Sequence, residues 1–194
     1  MTRVIGGFAR GRQLAVPAGD VVRPTGDRVK EALFSAIADH TVGSSVVDLY
    51  AGSGGLGLEA LSRGARHVTF VEHSARVIEV LRANLGNVMQ HCPDPDRVTA
   101  TVVSGDVLHA LARSIAKGPF TLAIADPPYH LSNQRVSAML RRLSSQLAAG
   151  ALVVVERPAS SEAFVWPDNF GDERARRYGD TTVHRAELQA TSRS

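Results

Sequence analysis

The chain has 194 residues, 44% of them hydrophobic and 21% charged, and carries a net charge of +3, which suits one well-buried soluble domain with a small appendage. No apolar run approaches the roughly 20 residues of a membrane span, and Met1 to Gly7 lack the apolar stretch of a signal peptide, so a cytoplasmic location is expected. Cys92 is the only cysteine, which excludes an intrachain disulfide and a cysteine-based metal cluster; the seven histidines show no ligand spacing, so no metal is expected.

Residues 3 to 16 read as an extended hairpin, broken at Gly6-Gly7 and closed by Gln13 to Val16 before Pro17. A loop rich in Pro, Gly and Asp follows, and Thr25 or Asp27 is the expected cap of a helix. That helix carries Val29, Ala32, Leu33, Ala36 and Ile37 on one face, which should pack on the main domain and leave Arg28 and Lys30 near the mouth of a site. Residues 1 to 30 hold Arg3, Arg10, Arg12, Arg23, Arg28 and Lys30 against only Asp20 and Asp27, a candidate nucleic-acid surface. Across the chain the basic residues are 20 Arg and 2 Lys, and arginine binds phosphate bidentately and stacks on bases, although a GC-rich coding sequence gives the same ratio.

Strands and helices then alternate, which implies a parallel sheet. Strand one is Val46 to Leu49, with a helix from Leu56 to Ser62 closed by Gly64. Strand two is Val68 to Val71, followed by a helix with Val77, Ile78, Leu81 and Leu85. Strand three is Val98 to Val103, followed by a short helix with Leu108, Leu111 and Ile115. Strand four is Phe120 to Ala125, and its helix carries Val136, Leu140, Leu143 and Leu147 up to Gly150. Strand five is Ala151 to Val155. Residues 159 to 172 read as a loop, and Arg174 to Tyr178 and Thr182 to Leu188 as a hairpin around Gly179-Asp180-Thr181. Five parallel strands finished by an antiparallel hairpin make an α/β fold of the class I SAM-dependent methyltransferase type, a Rossmann-like seven-stranded sheet with a small N-terminal β-hairpin and helix extension. The expected division is a basic arm at 1–27, a catalytic domain at 28–190 and a frayed tail at 191–194.

The loop after strand one spells G-x-G-x-x-G at Gly52, Gly54 and Gly57, with Glu72 lying 20 residues after Gly52. Alone, this matches a dinucleotide fingerprint and leaves NAD open. Asp48 argues against that reading, because a carboxylate beside the loop repels a pyrophosphate. S-adenosylmethionine (SAM) has no phosphate; it carries a sulfonium and an ammonium that suit acidic strand ends. Four such acids, Asp48, Glu72, Asp106 and Asp126, fall at the ends of strands one to four. In this reading Asp48 and the loop place the methionine end. Glu72 accepts the ribose hydroxyls and Asp106 the adenine amino group. Tyr50, Ala51, Gly52, Gly54 and Val107 complete the expected cofactor site.

Asp126-Pro127-Pro128-Tyr129 is the second motif and the expected catalytic group. An exocyclic amine on a base is a poor nucleophile because its lone pair is delocalised into the ring. A carboxylate and a proline-fixed carbonyl can both accept its N–H groups and favour a pyramidal nitrogen. Tyr129 can stack on the base, at roughly 1–3 kcal/mol for such contacts. Trp166 and Tyr178 read as packing residues, and His130 as a solvated loop histidine.

These motifs resemble the bacterial ribosomal RNA small subunit methyltransferase D family. The likeness covers nearly the whole chain. It is carried by Arg3 to Gly7 with Arg10-Gly11-Arg12, by Arg23 to Phe34, by Asp48 to Gly64 and by Asp126 to Tyr129. Tyr129 stands where the family often has Phe, and Gly26 where Thr is frequent. The resemblance implies SAM-dependent methylation of N2 of guanine 966 in 16S rRNA, within a small ribosomal subunit or assembly intermediate. It also implies that Arg3, Arg10, Arg12, Thr25 and Arg28 meet the RNA, a choice of RNA over DNA that charge alone does not make. The rivals are a DNA adenine-N6 methyltransferase, for which no target-recognition domain fits, an NAD oxidoreductase, and a non-catalytic RNA-binding module. A monomer is expected.

Overall fold

Runs of Val, Leu, Ile and Phe that are apolar on both faces make the central strands, as a parallel sheet covered on both sides requires. The computed structural model describes residues 2–17, 26–113 and 118–190. The chain opens with an antiparallel ribbon of β1 (Thr2–Arg3) and β2 (Gln13–Leu14), then α1 (Asp27–Ala36) and α2 (Ala38–Thr41). The alternating part is β3 (Ser45–Leu49), α3 (Gly57–Ser62), β4 (His67–Glu72), α4 (Ala75–Met89), β5 (Thr99–Ser104), α5 (Val107–Ala112), β6 (Phe120–Ala125), α6 (Asn133–Ser144) and β7 (Leu147–Pro158). The hairpin is β8 (Phe170–Tyr178) and β9 (Thr181–Leu188).

The strand order is β5-β4-β3-β6-β7-β9-β8, parallel from β5 to β7, with β9 antiparallel to both β7 and β8. The chain steps outward from β3 through β4 to β5, then returns to the other side of β3 as β6. The carboxyl ends of β3 and β6 are therefore the topological switch point, where such sheets bind ligands. Leu49 and Ala125 are register partners there, and Asp126 N–H donates to the Leu49 carbonyl at 3.4 Å.

Side-chain alternation along each strand feeds two cores. Val47 and Leu49 face α5, α6, Phe164 and Trp166. Val46 faces α1, α3 and α4, together with Val4, Ala9 and Leu14 of the N-terminal segment. The arm is thus built into the second core. Glu59 of α3, 0% exposed, accepts from Ile5 N–H at 2.7 Å and Gly6 N–H at 2.8 Å, and Arg63 holds it at 2.6 Å. Ser62 Oγ accepts from Ala9 N–H at 2.9 Å and donates to the Gly6 carbonyl at 2.6 Å. Gly7 lies so close to α3 that a Cβ there would sit 1.7 Å from the Ser62 carbonyl oxygen.

Several expected boundaries shift. The cap of α1 is Gly26, with no side-chain cap bond; Thr25 lies outside the described residues, as do Ile115 and the tail 191–194. Lys30 is not at a mouth. It is 1% exposed, and its ammonium donates to the Arg3 carbonyl and, at 3.3 Å, to Thr2 Oγ1. Burial lowers its pKa, against the opposing charges of Glu59 and Asp27. The helix expected to reach Leu147 stops at Ser144, and Leu147 opens β7. Its side chain packs in the α5–α6 core, and its spacing continues the apolar series of the helix, so spacing did not separate the two. β8 starts at Phe170, not Arg174, because a bulge at Asp172, where φ is 51°, interrupts the pairing and hides the alternation.

Replacing Glu59 with Gln turns one acceptor into a donor facing a backbone N–H. The expected loss is about 2–4 kcal/mol of stability, with faster hydrogen exchange at the Ile5 and Gly6 amides. Unchanged protection there would contradict the role given to this carboxylate.

Candidate active site

The glycine loop is a left-handed turn built over a buried acid. After β3, Tyr50 has φ 62°, Gly52 55° and Gly54 91°. Asp48, 1% exposed, points its carboxylate beneath the turn, and Oδ2 accepts the Gly57 N–H at 2.8 Å. A Cβ at Gly57 would stand 2.3 Å from Phe70 and 2.8 Å from that same oxygen, so only glycine lets α3 start there. Burial raises the Asp48 pKa to about 7; the Gly57 bond opposes the rise, and the charges of Asp126 and Glu72 add to it. Glu72 braces the loop from β4. Its Oε2 accepts Gly52 N–H at 3.0 Å, and Oε1 accepts His73 and Ser74 N–H at 2.8 and 2.9 Å.

Ala51 is buried and donates its N–H to the Val71 carbonyl at 3.0 Å. Asp48, Tyr50, Ala51, Gly52, Gly54 and Glu72 are therefore one connected rim. Gly54 serves packing there: a Cβ would lie 2.5 Å from Leu81. Around Gly52 the space is open, its nearest neighbour being the Tyr50 carbonyl at 4.0 Å. Asp106, the next strand-end acid along the same edge, is exposed and caps α5, accepting His109 N–H at 3.1 Å. Val107 is buried behind it. Burial raises the Tyr50 hydroxyl to about 12, with the Asp106 charge adding and Arg135 and Arg157 opposing.

On the other side of the switch point, Asp126, Pro127, Pro128 and Tyr129 leave β6. Asp126 opens into a cavity of about 210 Å³ walled by Tyr129, Gly26, Val29, Tyr178 and Gly179. Burial raises its pKa to about 6, opposed by Arg157. Pro127 is buried, while Tyr129 is 58% exposed at the edge of the cavity.

Arg157, at the carboxyl end of β7, was missed in the sequence reading. Nη2 donates to the Leu131 carbonyl at 2.8 Å, and Nη1 to the Pro128 carbonyl at 3.5 Å, so it ties down the Pro-Pro-Tyr loop. Its Nε is buried with no hydrogen-bond partner among the described residues. Burial lowers its pKa, while Asp126 and Tyr50 raise it. The rule that picked out four acids at strand ends also applies to it, since it stands one strand further along. Tyr178, expected as a packing residue, also walls the Asp126 cavity; Trp166 is the core residue expected, 5.2 Å from Phe164 and 5.4 Å from Phe170 between ring centroids.

The N-terminal arginines divide. Arg3, Arg10 and Arg28 line one cavity of about 430 Å³ between the arm and α1, with Arg3 paired to Asp27 at 2.9 Å. Arg12 is exposed outside that lining, and Thr25 lies outside the described residues.

The model of the family Conserved hypothetical protein 95 matches residues 2–187. Ribosomal RNA small subunit methyltransferase D of Escherichia coli K12 is 34% identical over 193 residues, 99% of this chain and 92% of that protein. Its Haemophilus influenzae counterpart is 36% identical over 170 residues, 87% of this chain and 84% of that protein. The chain belongs to the ribosomal RNA small subunit methyltransferase D family. The solved structure of the Escherichia coli protein yhhF superposes with a TM-score of 0.79 at 31% identity, covering 98% of this chain and 99% of that one. The matched span includes the N-terminal segment, the glycine loop and the Asp-Pro-Pro-Tyr turn alike.

The buried Asp48 carries a thermodynamic signature. Its folded pKa of about 7 exceeds the ordinary 3.8, so the folded state holds an extra proton between those values. Stability therefore falls as pH rises from about 4 to about 7 and then levels. Asp48→Asn keeps an acceptor for Gly57 N–H but does not titrate. Its melting temperature, measured against the parent's, should gain steadily across that pH range. Parallel curves would contradict the burial argument.

Proposed function

We propose that this chain transfers a methyl group from SAM to the exocyclic N2 amine of a guanine in 16S rRNA, the guanine-966 type of reaction. The observation that carries the reading is the juxtaposition at the switch point. A glycine loop braced by two strand-end acids lies one backbone hydrogen bond from Asp126, whose cavity is edged by the exposed Tyr129 ring. The names of the relatives support small-subunit rRNA as the substrate.

The residues fit SAM by their chemistry. The open face of Gly52 lets a ligand come close to the backbone. Glu72 holds one oxygen with a single described donor, leaving acceptor capacity for ribose hydroxyls. Asp106 uses one oxygen as a cap and has another for an amino donor, with Val107 behind it. Tyr50, Ala51 and Gly54 shape the rim, and Asp48 acts from beneath it. SAM, when bound, supplies an electrophilic methyl group.

Asp126 accepts an N–H of the target amine, and the carbonyls of the proline-fixed turn offer a second acceptor. Together they localise the nitrogen lone pair and aim it along the crevice. Tyr129 stacks on the base, which has to leave its own stack to enter. Arg157 acts as a positioning residue by holding the turn's carbonyls and keeping Asp126 ionised near neutral pH. Arg3, Arg10, Arg12 and Arg28, with Thr25, take RNA backbone. A ribosomal substrate, a cytoplasmic location and a monomeric enzyme complete the reading.

The test uses small subunits that lack the methyl group. Asp126→Asn should lower kcat/KM by about 10²-fold or more, with SAM binding by calorimetry unchanged. Full activity would remove Asp126 from the reaction. In the parent, kcat/KM should fall as pH drops through about 6, because protonation of Asp126 removes the charged acceptor and turns one oxygen into a donor. Arg157→Gln takes away the charge that opposes the raised pKa, so that acid limb should move to higher pH. A limb that stays in place would contradict the positioning role.

A further inference from the structure

Among the described residues β8 is the last strand of the sheet, and it carries Arg174, Arg176 and Arg177 in exposed positions. Alternation puts Arg174 and Arg176 on the α1 side with Tyr178. Across the ladder, Arg174 stands directly opposite Arg185 of β9. Like charges directly opposed in a strand pair are destabilising. None of the three forms an ion pair among the described residues. Arg185 donates to the Ala36 carbonyl at 3.1 Å, and Arg176 lies 5.2 Å over the Tyr178 ring. With Leu33 and Ala36 of α1 they wall a groove of about 220 Å³.

The groove neighbours the Asp126 cavity, since Tyr178 is a wall of both. On the opposite side of α1 lies the cavity of Arg3, Arg10 and Arg28. Two arginine-lined concavities therefore flank one helix, the N-terminal one lined also by Asp27 and Glu31, and the first turn of that helix faces the cavity for the target base. A charged edge strand also blunts sheet-to-sheet aggregation. That purpose is served by Arg177 on the other face and does not require two arginines opposed on the face beside the site.

Resting on the RNA-methylation reading above, we propose that Arg174, Arg176 and Arg185 bind phosphates of the rRNA strand leaving the target nucleotide on one side, while Arg3, Arg10 and Arg28 take the strand on the other. An extruded nucleotide leaves backbone running in both directions, so a single basic arm accounts for only half of the track. Arginine's planar fork suits phosphate, and an anionic strand relieves the Arg174–Arg185 opposition.

The experiment is fluorescence anisotropy of a labelled rRNA fragment containing the target, titrated across salt with the full chain. For Arg174→Gln with Arg176→Gln, the slope of log K against log salt should become shallower by about 1.4, at roughly 0.7 per single-strand phosphate contact. Affinity near 0.1 M salt should fall roughly 25-fold on the same basis. SAM affinity should not change, and the melting temperature should stay or rise. Arg177→Gln, on the other face of the strand, should keep the parent slope. A double variant with the parent slope, or an Arg177 variant that loses as much, would overturn the proposal. So would an unchanged slope on RNA combined with weaker binding to assembled subunits, which would assign the surface to a ribosomal protein. Should the parent itself fail to methylate RNA, the underlying reading falls instead, and the two failures are distinguished by that control.

Discussion

The bond from the Gly57 N–H to the buried Asp48 carboxylate is the constraint on which the site depends. A carboxylate in the centre of a parallel sheet is costly to ionise, and its raised pKa expresses that cost. What it secures is the start of α3 directly under a turn of three left-handed residues. Glu72 holds the other end of the turn through Gly52. The loop is thus pinned from below and from the side before any ligand arrives. Preorganisation of this kind lowers the entropy that binding has to overcome.

A second set of buried polar contacts positions α1. Lys30 is tied to the backbone of β1, and Glu59 to the backbone that follows it. The β1 segment, α1 and α3 are thereby tied to one another by buried polar contacts. That is why the first turn of α1 can wall the Asp126 cavity, and why basic residues from the N-terminus and from the C-terminal hairpin arrive on either side of it. On the proposed reading, the cofactor crevice and the base cavity meet at the β3–β6 junction, where the methyl group would cross.

Much of this was legible in the sequence because it rests on local rules. The strand–glycine loop–helix unit, the Asp-Pro-Pro-Tyr turn at a strand end and the closing hairpin follow from apolar runs and small-residue turns, and the fold agrees with them. What escaped depends on distant partners. Lys30 looked like a surface cation, since nothing nearby in sequence announces that the Arg3 carbonyl waits for it. Arg157 lies past Val155, where strand five was expected to end, and drew no reading; its meaning lies in Pro128 and Leu131, some 26 to 29 residues away. Leu147 satisfied a helical spacing and a strand equally. Asp172 broke an alternation that would otherwise have shown the first residues of β8. Tyr178 reads as packing until the fold sets it beside Asp126.

The most direct test of the account supplies SAM with a labelled methyl group and three acceptors: small subunits lacking the modification, naked small-subunit rRNA and duplex DNA. The products are then digested to nucleosides and identified. The account predicts label in N2-methylguanosine from a ribosomal substrate and none in DNA. Label in N6-methyladenine of DNA, or no transfer to any acceptor, would contradict it.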